Sequence, residues 1–196
     1  MVASKRERLL DAAEALFYRE GFHATGIDRI VAEAGVVRMT LYNNFRSKDA
    51  LAAAVLTRRH ERFVATVDTA VRGAPAGGAT LALADAHGDW VARHGNLGCI
   101  LIKAMGEYGA HAPSVYATAE RCKEALIERI RTALMRDGHS GTGSAPATVF
   151  LLLEGSNAAA LVLGAHEAVK ETRRAIAALV DPAAPPVGFV TGTATG

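Results

Sequence analysis

The amino-acid sequence predicts an all-α protein. Half of its 196 residues are hydrophobic while only 6% are aromatic, and alanine is abundant. No run of alternating β-branched residues marks a strand. Apolar positions instead recur three and four residues apart in one segment after another, as helices with one buried face require. The length suffices for one or two domains with a sizeable core. Residues 1–46 are expected to form a three-helix unit containing a helix-turn-helix. Residues 47–181 are expected to form a larger helical body whose first helix is the connector, and residues 182–196 a flexible tail.

The elements follow in order. Ser4 with Glu7 three residues on forms a capping box and opens a first helix. Leu10, Ala13 and Phe17 recur along it, with Leu9 and Leu16 beside them. Gly21 stops it, so it covers roughly 4–20. Ile27, Ile30, Val31 and Ala34 form one apolar stripe on a short second helix. Gly35 offers the left-handed turn that leads into a third helix ending near residue 44. Ser47 caps a fourth helix, with Asp49 in its first turn, and Leu51, Val55, Phe63 and Val67 give it an inner face to about residue 72. The Gly/Pro-rich stretch 73–78 is a loop. Helices are then expected at 80–94 and 98–109, and from Pro113 to just before Asp137. Past a Gly/Ser loop, two more are expected at 145 to about 166 and at 167–180. Beyond Asp181 no helical pattern remains, and the end is expected to fray.

The stretch 27–45, IDRIVAEAGVVRMTLYNNF, sets the functional expectation. In its second helix Leu41 and Phe45 supply the apolar side and are expected to be core. Arg38, Thr40, Tyr42, Asn43 and Asn44 occupy the remaining positions, where a helix built only for packing would carry plain helix formers. A helix, a glycine turn and a helix with a polar outer face make a helix-turn-helix. The first helix braces across the DNA backbone while the second enters the major groove. Arg38 suits a guanine or a phosphate, and Thr40 a thymine methyl or a backbone oxygen. Tyr42 suits a phosphate, Asn43 or Asn44 an adenine, and Lys48 the phosphate chain. For Tyr42 the competing expectation is packing against the first helix.

The longer segment LLDAAEALFYREGFHATGIDRIVAEAGVVRMTLYNNFRSKDALAAAV closely resembles the N-terminal domain of TetR-family transcriptional regulators. The matching features are the leading Leu-Leu-Asp-Ala-Ala, Leu16-Phe17, Gly21-Phe22, Thr25 and Ala34-Gly35-Val36. Thr40-Leu41-Tyr42, Phe45 and Ser47-Lys48 complete them. The resemblance covers roughly residues 8–55. It implies an all-α homodimer with a three-helix DNA-binding domain and a larger domain for ligand binding and dimerisation. The implied partners are double-stranded operator DNA and a small-molecule effector, and the implied function is most often that of a repressor released by its ligand. The resemblance also places Thr25 near the phosphates. Four features depart from the family pattern. Val37 and Gly26 stand where Ser or Thr commonly caps the third and second helices. Met39 replaces a small residue at the groove surface. Asn43-Asn44 replaces an aromatic and His pair, which implies a different operator.

Charge, cysteines and the apolar segments bound the rest. The net charge is +2, but residues 38–62 hold six basic residues against two acids, whereas residues 68–196 hold eleven against twelve. That asymmetry suits a local phosphate-binding surface. The small net charge argues against non-specific DNA packaging. Trp90, Met105, Tyr108, Tyr116 and Phe150 are candidates to line an effector cavity, although such a set at helical spacing is more often plain core. His94, Cys99, His111 and Cys122 match no metal-ligand spacing, and two cysteines make no disulfide framework. No metal, cofactor or catalytic constellation is therefore expected, which makes a helical enzyme or carrier the weaker reading. The segment 145–165 is apolar nearly all round, and Gly155, Ala159 and Gly164 allow close approach. Glu154, Ser156 and Asn157 argue against a lipid-facing span. Cover from its own domain and a partner subunit is expected, giving a homodimer through the last two helices. The N-terminal MVASKRER has no apolar stretch behind its charges, so a cytoplasmic protein is expected.

Overall fold

The computed structural model describes residues 3–95, 97–109 and 112–181. The expectations placed on His111 and on the 182–196 tail lie outside the described residues. Among those described, the chain forms nine helices and no strand. They are α1 (Lys5–Glu20), α2 (Ile27–Glu33), α3 (Arg38–Asn44), α4 (Lys48–Gly73), α5 (Ala79–His94), α6 (Ile100–Tyr108), α7 (Pro113–Arg136), α8 (Ala145–Leu163) and α9 (Ala165–Leu179).

The helix ends have local causes. The Ser4 hydroxyl accepts the Glu7 N–H at 3.1 Å, and Gly21 closes α1. The Ser47 hydroxyl accepts the Ala50 N–H at 3.0 Å and opens α4. Helix α5 begins at Gly78, which has no side chain to offer, and its cap comes from elsewhere. Asp137, just past α7, accepts the Ala79 and Thr80 N–H groups at 2.8 and 2.7 Å. The α8–α9 boundary differs from the expected one. Helix α8 stops at Leu163, because Gly164 takes φ +82 and turns the chain into α9. Gly164 therefore serves a corner, which only glycine adopts without strain, rather than a close helix contact.

Two main cores result. The first joins α1–α3 to Leu51, Val55 and Leu56 of α4, Ile100, Ala104 and Tyr108 of α6, and Val115 and Ala119 of α7. It thus runs on past residue 46, so the N-terminal helices rest directly on the larger body. The second packs Val67, Leu83, Ile130, Leu134, Val149, Leu153 and Ile176 from α4, α5, α7, α8 and α9. Helix α8 is long and apolar enough to cross a membrane by length and composition. Its polar residues nevertheless turn inward: Glu154 bonds to Lys123 of α7, and Asn157 is 9% exposed.

Candidate nucleic-acid interface and internal cavity

The turn between α2 and α3 is held from α1. Arg8 donates through Nη2 to the carbonyls of Ala34 and Gly35, at 2.6 Å each. Gly35 has φ +59, and a Cβ there would stand 2.7 Å from that same Nη2. Both the turn and the clasp therefore require glycine. Leu41 is fully buried and Phe45 nearly so, which seats α3 on the first core. The opposite face is open. Val37, Met39 and Tyr42 are 68%, 67% and 46% exposed, Arg38, Asn43 and Asn44 are exposed, and Thr40 is half-buried. Tyr42 is thus not packed away on α1. Arg38 Nε lies 3.5 Å from Asp28 Oδ1, an exposed pair of the kind that contributes little and that a phosphate can replace. Asn44 donates to the Thr40 carbonyl at 2.8 Å. Neither Gly26 nor Val37 makes a side-chain cap.

Thr25 and Lys48 sit differently from their neighbours. Thr25 is fully buried, and its hydroxyl donates to the Gly21 carbonyl at 2.6 Å, so the side chain braces the α1–α2 connection. Lys48 is half-buried and donates to the His23 carbonyl at 3.4 Å. Burial outweighs the nearby Asp49 and Glu107 carboxylates and draws its ammonium below the usual lysine value.

The basic stretch divides in two, which corrects the expected six-cation surface. Arg58 and Arg59 each bond to Glu14 of α1 at 2.9 Å, and Arg62 bonds to the same carboxylate. Arg58 also reaches Asp11 at 2.8 Å and Glu7 at 3.1 Å. Three of the six cations therefore pin α4 to α1. Burial works to raise the Glu14 carboxyl, but the guanidiniums of Arg59, Arg58 and Arg62 win and hold it below the usual range. Arg59, only 9% exposed, also donates to the His94 carbonyl at 2.6 Å and lies over the Tyr18 and Trp90 rings at 4.8 and 5.6 Å. Two further ties join α1 to the body. The Tyr18 hydroxyl accepts the Leu97 N–H at 2.8 Å and donates to the Gly98 carbonyl at 3.0 Å. Glu107 of α6 accepts the Phe22 and His23 N–H groups at 3.0 and 2.7 Å.

Helices α4 to α8 line a cavity that is partly open to solvent. Leu56, Ile100, Leu101 and Leu126 supply apolar wall, and Phe63, His87 and Trp90 add rings. Phe63 meets His87 and Trp90 edge-on, with centroids 5.9 and 5.5 Å apart. The polar centre is Lys123, whose ammonium donates to Glu154 at 2.5 Å and to the Cys99 sulfur at 3.2 Å. Burial alone would lower the Lys123 pKa, but Cys99 and Glu154 beside it raise it, so the ammonium stays charged. Burial pushes His87 down to about 3, so its ring is neutral at ordinary pH. Burial also pushes the Cys122 thiol up to about 11, which leaves it protonated and unreactive at neutral pH. Among the described residues no group of three or more His, Cys, Asp or Glu is placed to hold a metal.

Of the five residues expected to line a cavity, Trp90 does so. Met105, Tyr108, Tyr116 and Phe150 are not among the lining residues. The start of α6 gives Ile100 and Leu101 to the wall, whereas its last turn reaches the α1–α2 connection. Tyr108 accordingly packs 5.5 Å from the Phe22 ring and 5.2 Å from the His23 ring, and Met105 rests on the first core. Phe150 rests on the second core. Sequence reasoning missed Arg59, His87, Lys123, Glu154 and Asn157 as cavity residues. The available signal was Glu154 and Asn157, three residues apart on one side of an otherwise apolar helix.

A glycine-turned helix pair with an exposed polar second helix, mounted on a helical body with an internal cavity, defines a DNA-binding transcriptional regulator of the helix-turn-helix class. The family model for bacterial regulatory proteins of the tetR family matches residues 9–55. Along its length the chain is similar to SCO4454, a TetR-family transcriptional regulator from Streptomyces coelicolor. The two are 30% identical over 90% of this chain and 94% of that one, with a TM-score of 0.84. The chain belongs to the TetR family. A TetR regulator from Legionella pneumophila, 20% identical over 92% of this chain and 99% of that one, shares the fold with a TM-score of 0.81. Shorter likenesses link the chain to the transcriptional activator FasR of Mycolicibacterium smegmatis and the transcriptional repressor ComR of Escherichia coli. These are 43% identical over 68 residues and 40% over 60, or 35% and 31% of this chain. The matched stretches span 31% and 29% of those two relatives. One is an activator and the other a repressor, so likeness at this level does not set the sign of regulation.

Proposed function

We propose that the chain is a homodimeric repressor that reads operator DNA through α3 and is released by a small molecule bound in the cavity. The observation that carries this reading is the exposed outer face of α3. There Arg38, Met39, Thr40, Tyr42, Asn43 and Asn44 stand ready to meet base edges and flanking phosphates, with Lys48 following the phosphate chain. Thr25 acts beside the phosphates by bracing the connection that carries α2.

Dimer formation is supported by the apolar residues left bare on α8. Leu151, Leu161, Val162 and Leu163 are 57–85% exposed, on a helix that packs against α9. A two-fold axis through α8 and α9 would cover part of that surface, burying apolar area at roughly 25 cal/mol per Å². It would also set two copies of α3 on half-sites about 34–36 Å apart.

Release is supported by the connections between cavity and reading head. An occupant that moves the cavity wall moves α4 and α6, and with them Arg59 against Glu14 and Glu107 against Phe22 and His23. It lowers operator affinity only by binding the released form better than the DNA-bound one. Footprinting on the promoter beside the protein's own gene tests the reading. Two protected half-sites one helical turn apart are expected, and uniform or absent protection across that promoter overturns it.

A further inference from the structure

Resting on the effector-released reading above, we propose that the cavity takes a neutral, planar aromatic molecule carrying a hydroxyl or similar group that both donates and accepts a hydrogen bond. Charge is the first argument. The two cations on the wall are already engaged: Lys123 with Glu154 at 2.5 Å, Arg59 with Glu14 at 2.9 Å and the His94 carbonyl at 2.6 Å. The wall histidines add no charge, since burial lowers both His60 and His87. A carboxylate would enter with no free cation to meet it, and an ammonium would face Lys123 and Arg59. Burying an unpaired charge is costly, so the cavity favours a neutral guest.

The second argument is two buried polar atoms without partners. Asn157 Nδ2 donates to the Leu153 carbonyl at 3.3 Å, which fixes the amide so that its nitrogen also faces His87 Nε2 at 3.4 Å. Nε2 must then accept, and the proton of the neutral ring sits on Nδ1. Among the described residues that Nδ1–H has no acceptor, and His87 is 4% exposed. Glu154 Oε2 is likewise buried without a donor. One donor and one acceptor left unanswered are expensive, and a guest that supplies both partners gains from each. The third argument is shape. The edge-to-face rings of Phe63, His87 and Trp90 offer a flat guest good contact.

Calorimetry on the full chain without DNA tests this with three matched probes: 1-naphthol, 1-naphthoate and naphthalene. Trp90 is the sole tryptophan, so quenching of its emission places the probe in the cavity. 1-Naphthol is expected to bind at least about tenfold more tightly than either of the others. In Glu154→Gln the Lys123 ammonium loses its anionic partner. There 1-naphthoate should gain about tenfold while 1-naphthol weakens, with circular dichroism checking the fold. The order on the unmodified chain decides the matter even if that variant does not fold. Tightest binding by 1-naphthoate, equal binding of naphthalene and 1-naphthol, or no heat and no quenching from any probe overturns the proposal. No DNA is present in these measurements, so operator binding stands or falls separately by the footprint.

Discussion

Lys48 shows how one side chain near the reading helix divides between structure and function. Among the described residues its ammonium makes one hydrogen bond, the long one to the His23 carbonyl, so removing it costs the fold little. If it follows the phosphate chain, Lys48→Ala should weaken operator binding about evenly across sequences and reduce the salt slope by about one. Fluorescence anisotropy over a salt series reads both, and an unchanged slope would remove the phosphate contact. The exposed set on α3 was legible because base-reading residues replace helix formers on the outer positions of a seven-residue helix. The fates of Arg58, Arg59 and Arg62 were not legible. Their partner Glu14 lies more than forty residues away, and only the crossing of α1 and α4 brings the charges together. Thr25 carries the same lesson, since its hydroxyl faces inward to Gly21.

Among the helices, α5 depends on a neighbour for its start. Gly78 cannot cap it, and the Asp137 carboxylate answers its first N–H groups instead. Asp137→Asn keeps one acceptor oxygen but loses the other and the negative charge, so it should destabilise the protein by about 1 kcal/mol at neutral pH. The pH dependence follows from the shift. Burial works to raise the Asp137 carboxyl, but the Thr80 and Ala79 amides outweigh it and hold it below the usual value. A folded-state pKa below the unfolded one contributes stability that is present above the unfolded pKa and lost as pH falls through the folded one. Urea unfolding of both proteins should therefore show a gap at pH 7 that closes in acid; an equal gap at both would mean that the carboxylate charge is not what caps α5. Most helix positions could be read from caps and apolar spacing. The α8–α9 corner could not, because Gly164 sits in an apolar run where a glycine serves close packing or a turn equally well.

For the molecule as a whole, the question is how occupancy of the cavity reaches α3, and Arg59 touches both the cavity and α1, against which α3 packs. It lines the cavity, bonds to Glu14 of α1, and lies 5.6 Å from the Trp90 ring. Sequence alone could not show this, since Arg59 reads as one more charge in a basic stretch. Arg59→Met keeps much of the side-chain bulk, and Glu14 keeps Arg58 and Arg62, so the expected loss is about 1–2 kcal/mol of stability rather than unfolding. Coupling between two binding events is reciprocal. If the cavity alters operator affinity through Arg59, operator binding must alter the cavity through the same contact. The sole tryptophan stands in that cavity, so adding operator DNA should change Trp90 emission in the unmodified protein without any effector present. In Arg59→Met that change should vanish while operator affinity stays within about threefold. A silent Trp90 on operator binding, or an undiminished response in Arg59→Met, would show that the signal travels by another route, and the Glu107 bond from α6 to the Phe22 and His23 amides would then be the contact to break next.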